Sequence, residues 1–174
     1  MGPSRREVGE APMKRDRRLY PLSWGHHDLL VYADRMKMAL TTDHPSYRHS
    51  VEELIEKSKN FWNSIFFEHM NAEREVLFPV LIQFPEDYQQ KVNIVIGEFN
   101  KLSDLYSEII TCSKGEQMLN DKLIRFSELI VHHVRFEERE LFPKIEDHLP
   151  SAEFDRIGAG LEQKLPRICR TPLK

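Results

Sequence analysis

Glycine is scarce, with 7 in 174 residues against 28 acidic and 25 basic side chains. A turn-dense β-sandwich or barrel needs more turn formers, and the wealth of Glu, Lys and Leu favours helix. Cysteine is nearly absent: Cys112 and Cys169 are the pair, and no Cys-x-x-Cys occurs. That excludes a zinc ribbon and a thioredoxin-type redox pair, offers no disulfide framework, and makes a reducing, cytoplasmic compartment the expectation. A basic excess is lacking too. The net charge of −3 argues against a broad nucleic-acid-binding face. No apolar run approaches the ~20 residues of a membrane span. The first 18 residues are charged and carry neither the apolar stretch of a signal peptide nor the usual myristoylation pattern. Neither a nucleic acid nor a membrane is therefore expected as a partner. The length suits one ordinary domain, able to bury roughly 70% of its unfolded surface.

What is present is helical periodicity. Residues 1–18 mix Arg, Lys, Glu and Pro without period and read as a mobile tail, with Met13 as a conceivable internal start. From Leu19, apolar positions recur every three or four residues: Leu22, His26, Leu29, Ala33, Met36 and Leu40 share one face. Ser23 is the candidate N-cap of this helix. A second helix starts near Ser50, where Ser50 and Glu53 have capping-box spacing. Its inward stripe is Leu54, Lys57 (by its stem), Phe61, Ile65, His69, Ala72, Val76 and Val80, and Pro79 should bend it or mark its last turns. A third helix spans about residues 87–111 with Val92, Val95, Phe99, Leu102, Tyr106 and Ile109 inward, closed by Ser113, Lys114 and Gly115. A fourth covers about 116–148 with Leu119, Leu123, Phe126, Ile130, His133, Glu137, Leu141 and Ile145 inside. Ser151 is placed to cap a short fifth helix. Long helices with short connections predict an all-α, up-down-up-down four-helix bundle over residues 19–150, with a short C-terminal helix and tail over 151–174.

The most informative feature is an internal echo. Residues 69–81 read His-Met-Asn-Ala-Glu-Arg-Glu-Val-Leu-Phe-Pro-Val-Leu, and residues 133–145 read His-Val-Arg-Phe-Glu-Glu-Arg-Glu-Leu-Phe-Pro-Lys-Ile. Both contain His-x-x-x-Glu followed by Leu-Phe-Pro. Residues four apart lie one turn above each other, so His69 projects with Glu73 and His133 with Glu137. Both pairs fall on apolar stripes. Burying an unpaired carboxylate costs several kcal/mol. A metal ion removes that cost, and carboxylate with neutral imidazole suits iron, manganese or zinc. His26 adds a third inward histidine and is preferred over His27, whose face is more polar. A lone His-x-x-x-Glu is usually a surface pair. Two of them, each on an apolar face and each followed by Leu-Phe-Pro, favour a metal centre over metal-free His–Glu pairs. His44, His49, His132 and His148 read as surface residues.

These motifs resemble the hemerythrin-like, HHE cation-binding family over about residues 14–148. Leu22-Ser23-Trp24-Gly25-His26-His27 resembles the family's first element, Phe67 to Glu73 its second, and His133 to Pro143 its fourth. The resemblance implies a four-helix bundle holding non-haem iron, two ions in the full pattern. Glu73 and Glu137 would bridge them, with His26 and His69 on one ion and His133 on the other. The family's helix-three histidine has no counterpart here, since Phe99 stands at that place. Glu98 is a possible replacement, and a single ion is the alternative to two. The implied function is binding, sensing or storage involving oxygen, peroxide or nitric oxide. A metal-dependent oxidase or peroxidase is an alternative, although no acid or base beyond the ligands is evident. A metal-free helical bundle used for protein interaction is another.

Overall fold

A computed structural model describes residues 15–112 and 116–165 of the chain; the proposed internal start Met13, the closing Ser113-Lys114-Gly115 and Cys169 lie outside the described residues. Among the described residues the secondary structure is helical, without strands. Helix α1 is Tyr20–Thr41. Helix α2 covers residues 51–81, α3 is Glu86–Ile110, α4 covers residues 116–148, and α5 is Ser151–Lys164. Short 3-10 turns at Arg17–Leu19 and Pro45–Tyr47 precede α1 and α2.

The helix starts show which local signals were strong. Ser50 forms the expected capping box: its hydroxyl accepts the Glu53 N–H at 3.2 Å, and its own N–H donates to the Glu53 carboxylate at 2.7 Å. Ser23, by contrast, is not a cap. It lies one turn inside α1, because Asp16 caps the preceding 3-10 turn by accepting the Arg18 N–H at 2.9 Å. Ser151 is the first residue of α5 rather than its cap. Within residues 15–18, expected as part of a mobile tail, Arg15 is buried and the Arg18 guanidinium lies 3.5 Å above the Phe154 ring of α5, while Arg17 is exposed.

Helices α2 and α4 each run continuously but are not uniformly α-helical. In α2, π turns at Trp62–Phe66 and Glu73–Leu77 interrupt the α geometry. In α4 one lies at Glu137–Leu141. A π turn accommodates one extra residue. The inward stripe of α2 is accordingly displaced. Across the first π turn Phe61 and Trp62 at its start and Phe66 at its end are buried; Ile65 and Val76, expected inside, are only half-buried while Phe66 and Leu77 are buried. In α4 all eight expected inward positions are buried.

Helix α1 packs most extensively on α4; α4 also packs on α3, α3 on α2, and the first π turn of α2 on α1. Helix α5 covers the Arg17–Leu19 turn and the second π turn of α2. These helices share one apolar core, to which α5 adds Phe154, Ile157 and Leu161. Much of it is aromatic: Tyr32 stacks on Phe61 at 3.7 Å, Phe126 meets both edge-on, and Trp62 stacks on Tyr106 at 4.3 Å. No helix among the described residues is long and apolar enough to cross a membrane.

Candidate metal centre

Imidazoles and carboxylates gather in this core, whereas the buried Ser58 and Ser127 hydroxyls bond to carbonyls of their own helices. His26 of α1, His69 and Glu73 of α2, and His133 and Glu137 of α4 are all buried, the two carboxylates completely. His27, the neighbour on α1, is exposed. The His26 and His69 rings lie 4.9 Å apart, and His133 lies 6.5 and 6.4 Å from them. One ligand atom from each of His26, His69, Glu73 and Glu137 falls within 4.8 Å of every other, a set that can hold a metal ion. His133 stands beside this set, its Nε2 3.9 Å from Glu137 Oε2.

The local backbone explains the convergence. Each His-x-x-x-Glu spans one α turn, and each Glu opens a π turn whose closing bond runs from Phe78 N–H to Glu73 O, or from Phe142 N–H to Glu137 O. Leu-Phe-Pro follows because proline cannot donate the next helical hydrogen bond and its ring crowds the carbonyl four residues back. The wider turn relieves both problems without ending the helix. Gly25, in the second turn of α1, leaves room for His69: a Cβ there would sit 2.5 Å from His69 Nδ1. Glycine inside a helix costs roughly 0.5–1 kcal/mol relative to alanine, and here it admits an imidazole against the backbone.

Hydrogen bonding within the cluster is incomplete. His69 Nε2 and Glu73 Oε1 stand 2.9 Å apart but are not aligned as donor and acceptor. Among the described residues, seven buried side-chain polar atoms take no hydrogen bond; apart from Asn120 Oδ1 they are His69 Nδ1 and Nε2, both Glu73 oxygens, His133 Nε2 and Glu137 Oε1. Each orphaned group costs ~1–3 kcal/mol, more when charged. Concentrated at one point, they favour a cation there, which would satisfy several at once.

Protonation reflects the same setting. Burial raises Glu73 above the usual carboxylate range, and His133 and His26 only partly oppose it. Burial and then the neighbouring Glu73 raise Glu137. Burial, reinforced by His26, holds His69 well below an ordinary imidazole. Burial also pushes His26 down, but its bonds to Glu137 and Glu138 outweigh that and bring it up to about 9. For His133, Glu137 and Glu98 likewise outweigh burial and raise it.

Two residues outside the expected ligand set complete the arrangement. Glu138 turns toward α1 and lies 2.6 Å from His26 Nδ1, while His26 Nε2 lies 2.9 Å from Glu137 Oε2. On α3, Glu98 takes the inward position and Phe99 does not. Glu98 is buried, with Oε2 3.2 Å from His133 Nδ1 and Oε1 2.6 Å from Nδ1 of the exposed His132. Phe99 is half-buried, stacks near Phe66 and Trp62, and faces a groove between α2 and α3. Helix α3 thus supplies a carboxylate that braces His133 through its far nitrogen. Such outer carboxylates orient a ligating histidine and increase its basicity. Sequence reasoning named Glu98 only as a possible ligand and missed Glu138, because the role of a glutamate beside a ligand is hidden until its partner on another helix is known.

Compared with protein-family models, curated proteins and solved structures, the chain finds no match in any of the three.

Proposed function

We propose that the chain is a hemerythrin-like four-helix bundle whose buried His/Glu cluster is a non-haem iron centre that handles oxygen, peroxide or nitric oxide. The observation that carries this reading is the convergence of His26, His69, Glu73 and Glu137 within 4.8 Å, with unsatisfied polar atoms gathered in the same place. The donor set suits iron or manganese and also admits zinc. The echoed motifs and their resemblance to the hemerythrin-like pattern favour iron.

When bound, iron would supply reversible coordination and one-electron chemistry toward a small diatomic or peroxidic ligand. The protein's own groups do the rest. His26, His69, Glu73 and Glu137 would hold the first ion. His133, with Glu73 and Glu137 shared, would hold a second. Glu138 and Glu98 orient the histidines, while the aromatic core restricts water. The separation of His133 from the four-residue group would make an ion held there the weaker of the two.

The test is elemental analysis of protein purified without a chelator or a histidine tag. One tightly held iron per chain, rising toward two when iron is supplied in excess, supports the proposal. Protein that takes up no metal on loading refutes it. Steady-state consumption of oxygen or peroxide with a reductant then separates an enzyme from a binding or sensing protein.

A further inference from the structure

Arg15 lies in the short segment ahead of α1 and is not one of the converging groups. Among the described residues it is the only arginine or lysine that is buried. Burying a guanidinium is costly unless its donors are paired, and three of its nitrogens have partners. Nε and Nη2 donate to Glu138 Oε2 at 3.2 and 2.7 Å, Nη2 also donates to the Glu138 carbonyl at 2.8 Å, and Nη1 donates to Glu146 Oε2 at 2.8 Å. The Asp16 N–H adds a bond to Glu146 Oε1 at 2.7 Å.

These contacts lead to the centre by two routes. Glu138 divides its carboxylate: Oε2 faces Arg15, while Oε1 accepts the Ser23 hydroxyl at 2.8 Å and faces His26 Nδ1 at 2.6 Å. Phe142 also lies between them, with the Arg15 guanidinium 5.2 Å from its ring and the His26 ring stacked on it at 5.3 Å. We infer that Arg15 is a positioning residue for the centre: by neutralising and fixing Glu138, it holds His26 with Nδ1–H donated to Glu138 and Nε2 turned toward Glu137. The segment from Arg15 to Leu19 is then a latch whose docking sets the geometry of the first ligand. A lysine cannot replace it fully, because a single ammonium lacks the fork that grips Glu138 and Glu146 together.

The metal consequence rests on the function proposed above, so the test has one readout with metal and one without. The first is affinity for ferrous or cobaltous ion, measured by competition with a chelator, together with the visible spectrum of the cobalt form. The second is the His26 Nδ1 proton of the apo protein, which should be downfield and protected from exchange. Arg15→Ala should weaken affinity about tenfold or more, alter the cobalt spectrum, and move the Nδ1 proton upfield with faster exchange. Arg15→Lys should fall between. Adding Glu138→Gln to Arg15→Ala should cost little beyond Glu138→Gln alone, since both act through one carboxylate. Ile109→Ala, a core truncation elsewhere on α3, should lower Tm and leave affinity and the proton signal alone.

If Arg15→Ala and Arg15→Lys lower Tm but retain wild-type affinity, cobalt spectrum and Nδ1 signal, Arg15 is only a structural anchor and the inference is overturned. If the wild type takes up no metal, the proposed function fails, and the Nδ1 proton alone decides whether Arg15 positions His26.

Discussion

The two echoed segments, 69–81 on α2 and 133–145 on α4, share a backbone device but not its surroundings. In each, a buried His lies one turn before a buried Glu, and that Glu opens a π turn leading into Leu-Phe-Pro. The difference lies around the second nitrogen of the histidine. His69 Nδ1 faces Gly25 and takes no hydrogen bond, whereas His133 Nδ1 meets Glu98 at 3.2 Å. The residue after each Glu also differs. Arg74 is exposed, with its guanidinium 5.9 Å from the Phe99 ring, while Glu138 turns inward to His26 and Arg15. The α2 half therefore relies on close packing and the α4 half on braced carboxylates. One motif, placed twice, gives two halves that should respond differently to mutation.

The largest effect should come where the halves are equivalent. Glu73→Ala and Glu137→Ala should each abolish metal binding in elemental analysis, because each removes a buried negative charge from the centre. Retention of metal by either variant would break the proposed symmetry. The next effect separates the halves. Gly25→Ala places a methyl group against His69 and should reduce metal affinity about 10–100-fold, as for other disturbances of ligand orientation. Glu98→Gln should leave the first ion in place and lower occupancy of the second, since it touches His133 alone among the predicted ligands. Titration with ferrous ion under argon distinguishes the two patterns.

A smaller effect concerns pH in the apo protein. His26, raised to about 9, contributes stability that is complete below its ordinary value of 6.5 and is lost as pH rises through 9. His133, also raised, acts in the same direction. Glu73 and Glu137, raised as well, lose their contribution as pH climbs above 4.5. His69 is depressed; its contribution is complete above 6.5 and does not oppose the trend. Apo Tm should therefore fall between pH 6.5 and 9. Loaded protein, with its histidines already neutral, should fall less, so the difference in Tm widens by a few degrees, at about 2–4 °C per kcal/mol. A difference that narrows over this window would contradict the assignment.

The smallest effects are expected at Phe99 and Glu75. Phe99→His should lose some packing and leave iron retention unchanged, because Phe99 faces the α2–α3 groove while Glu98 occupies the inward place. Tighter iron retention would return the ligand position to residue 99. Glu75→Ala removes an exposed ion pair with Lys164 and should change stability by no more than ~1 kcal/mol.

Much of this arrangement was legible in the chain. Apolar spacing located the long helices, and the capping box at Ser50 marked the start of α2. The echo alone picks out His69, Glu73, His133 and Glu137. The less legible features depend on relations that spacing does not express. A uniform 3.6-residue period places Ile65 and Val76 inside, but the π turns advance the buried positions to Phe66 and Leu77. Proline after Leu-Phe was the available signal for the turns at Glu73–Leu77 and Glu137–Leu141, while the turn at Trp62–Phe66 has no proline after it. Glu98 stands in the sequence only as a possible substitute ligand and Glu138 carries no role there, because their histidine partners lie on other helices. Arg15 looked like part of a charged tail because the two glutamates that pair with it are more than a hundred residues downstream.

The central claim is that the buried cluster is a metal centre, and melting of chelator-stripped protein with and without added ferrous ion tests it most directly. Binding confined to the folded state stabilises by about 2.7 kcal/mol at free metal a hundredfold above Kd. Wild-type Tm should rise accordingly, while Glu137→Ala should show no rise. Identical wild-type melting with and without iron, in protein that also retains none after desalting, would contradict the claim.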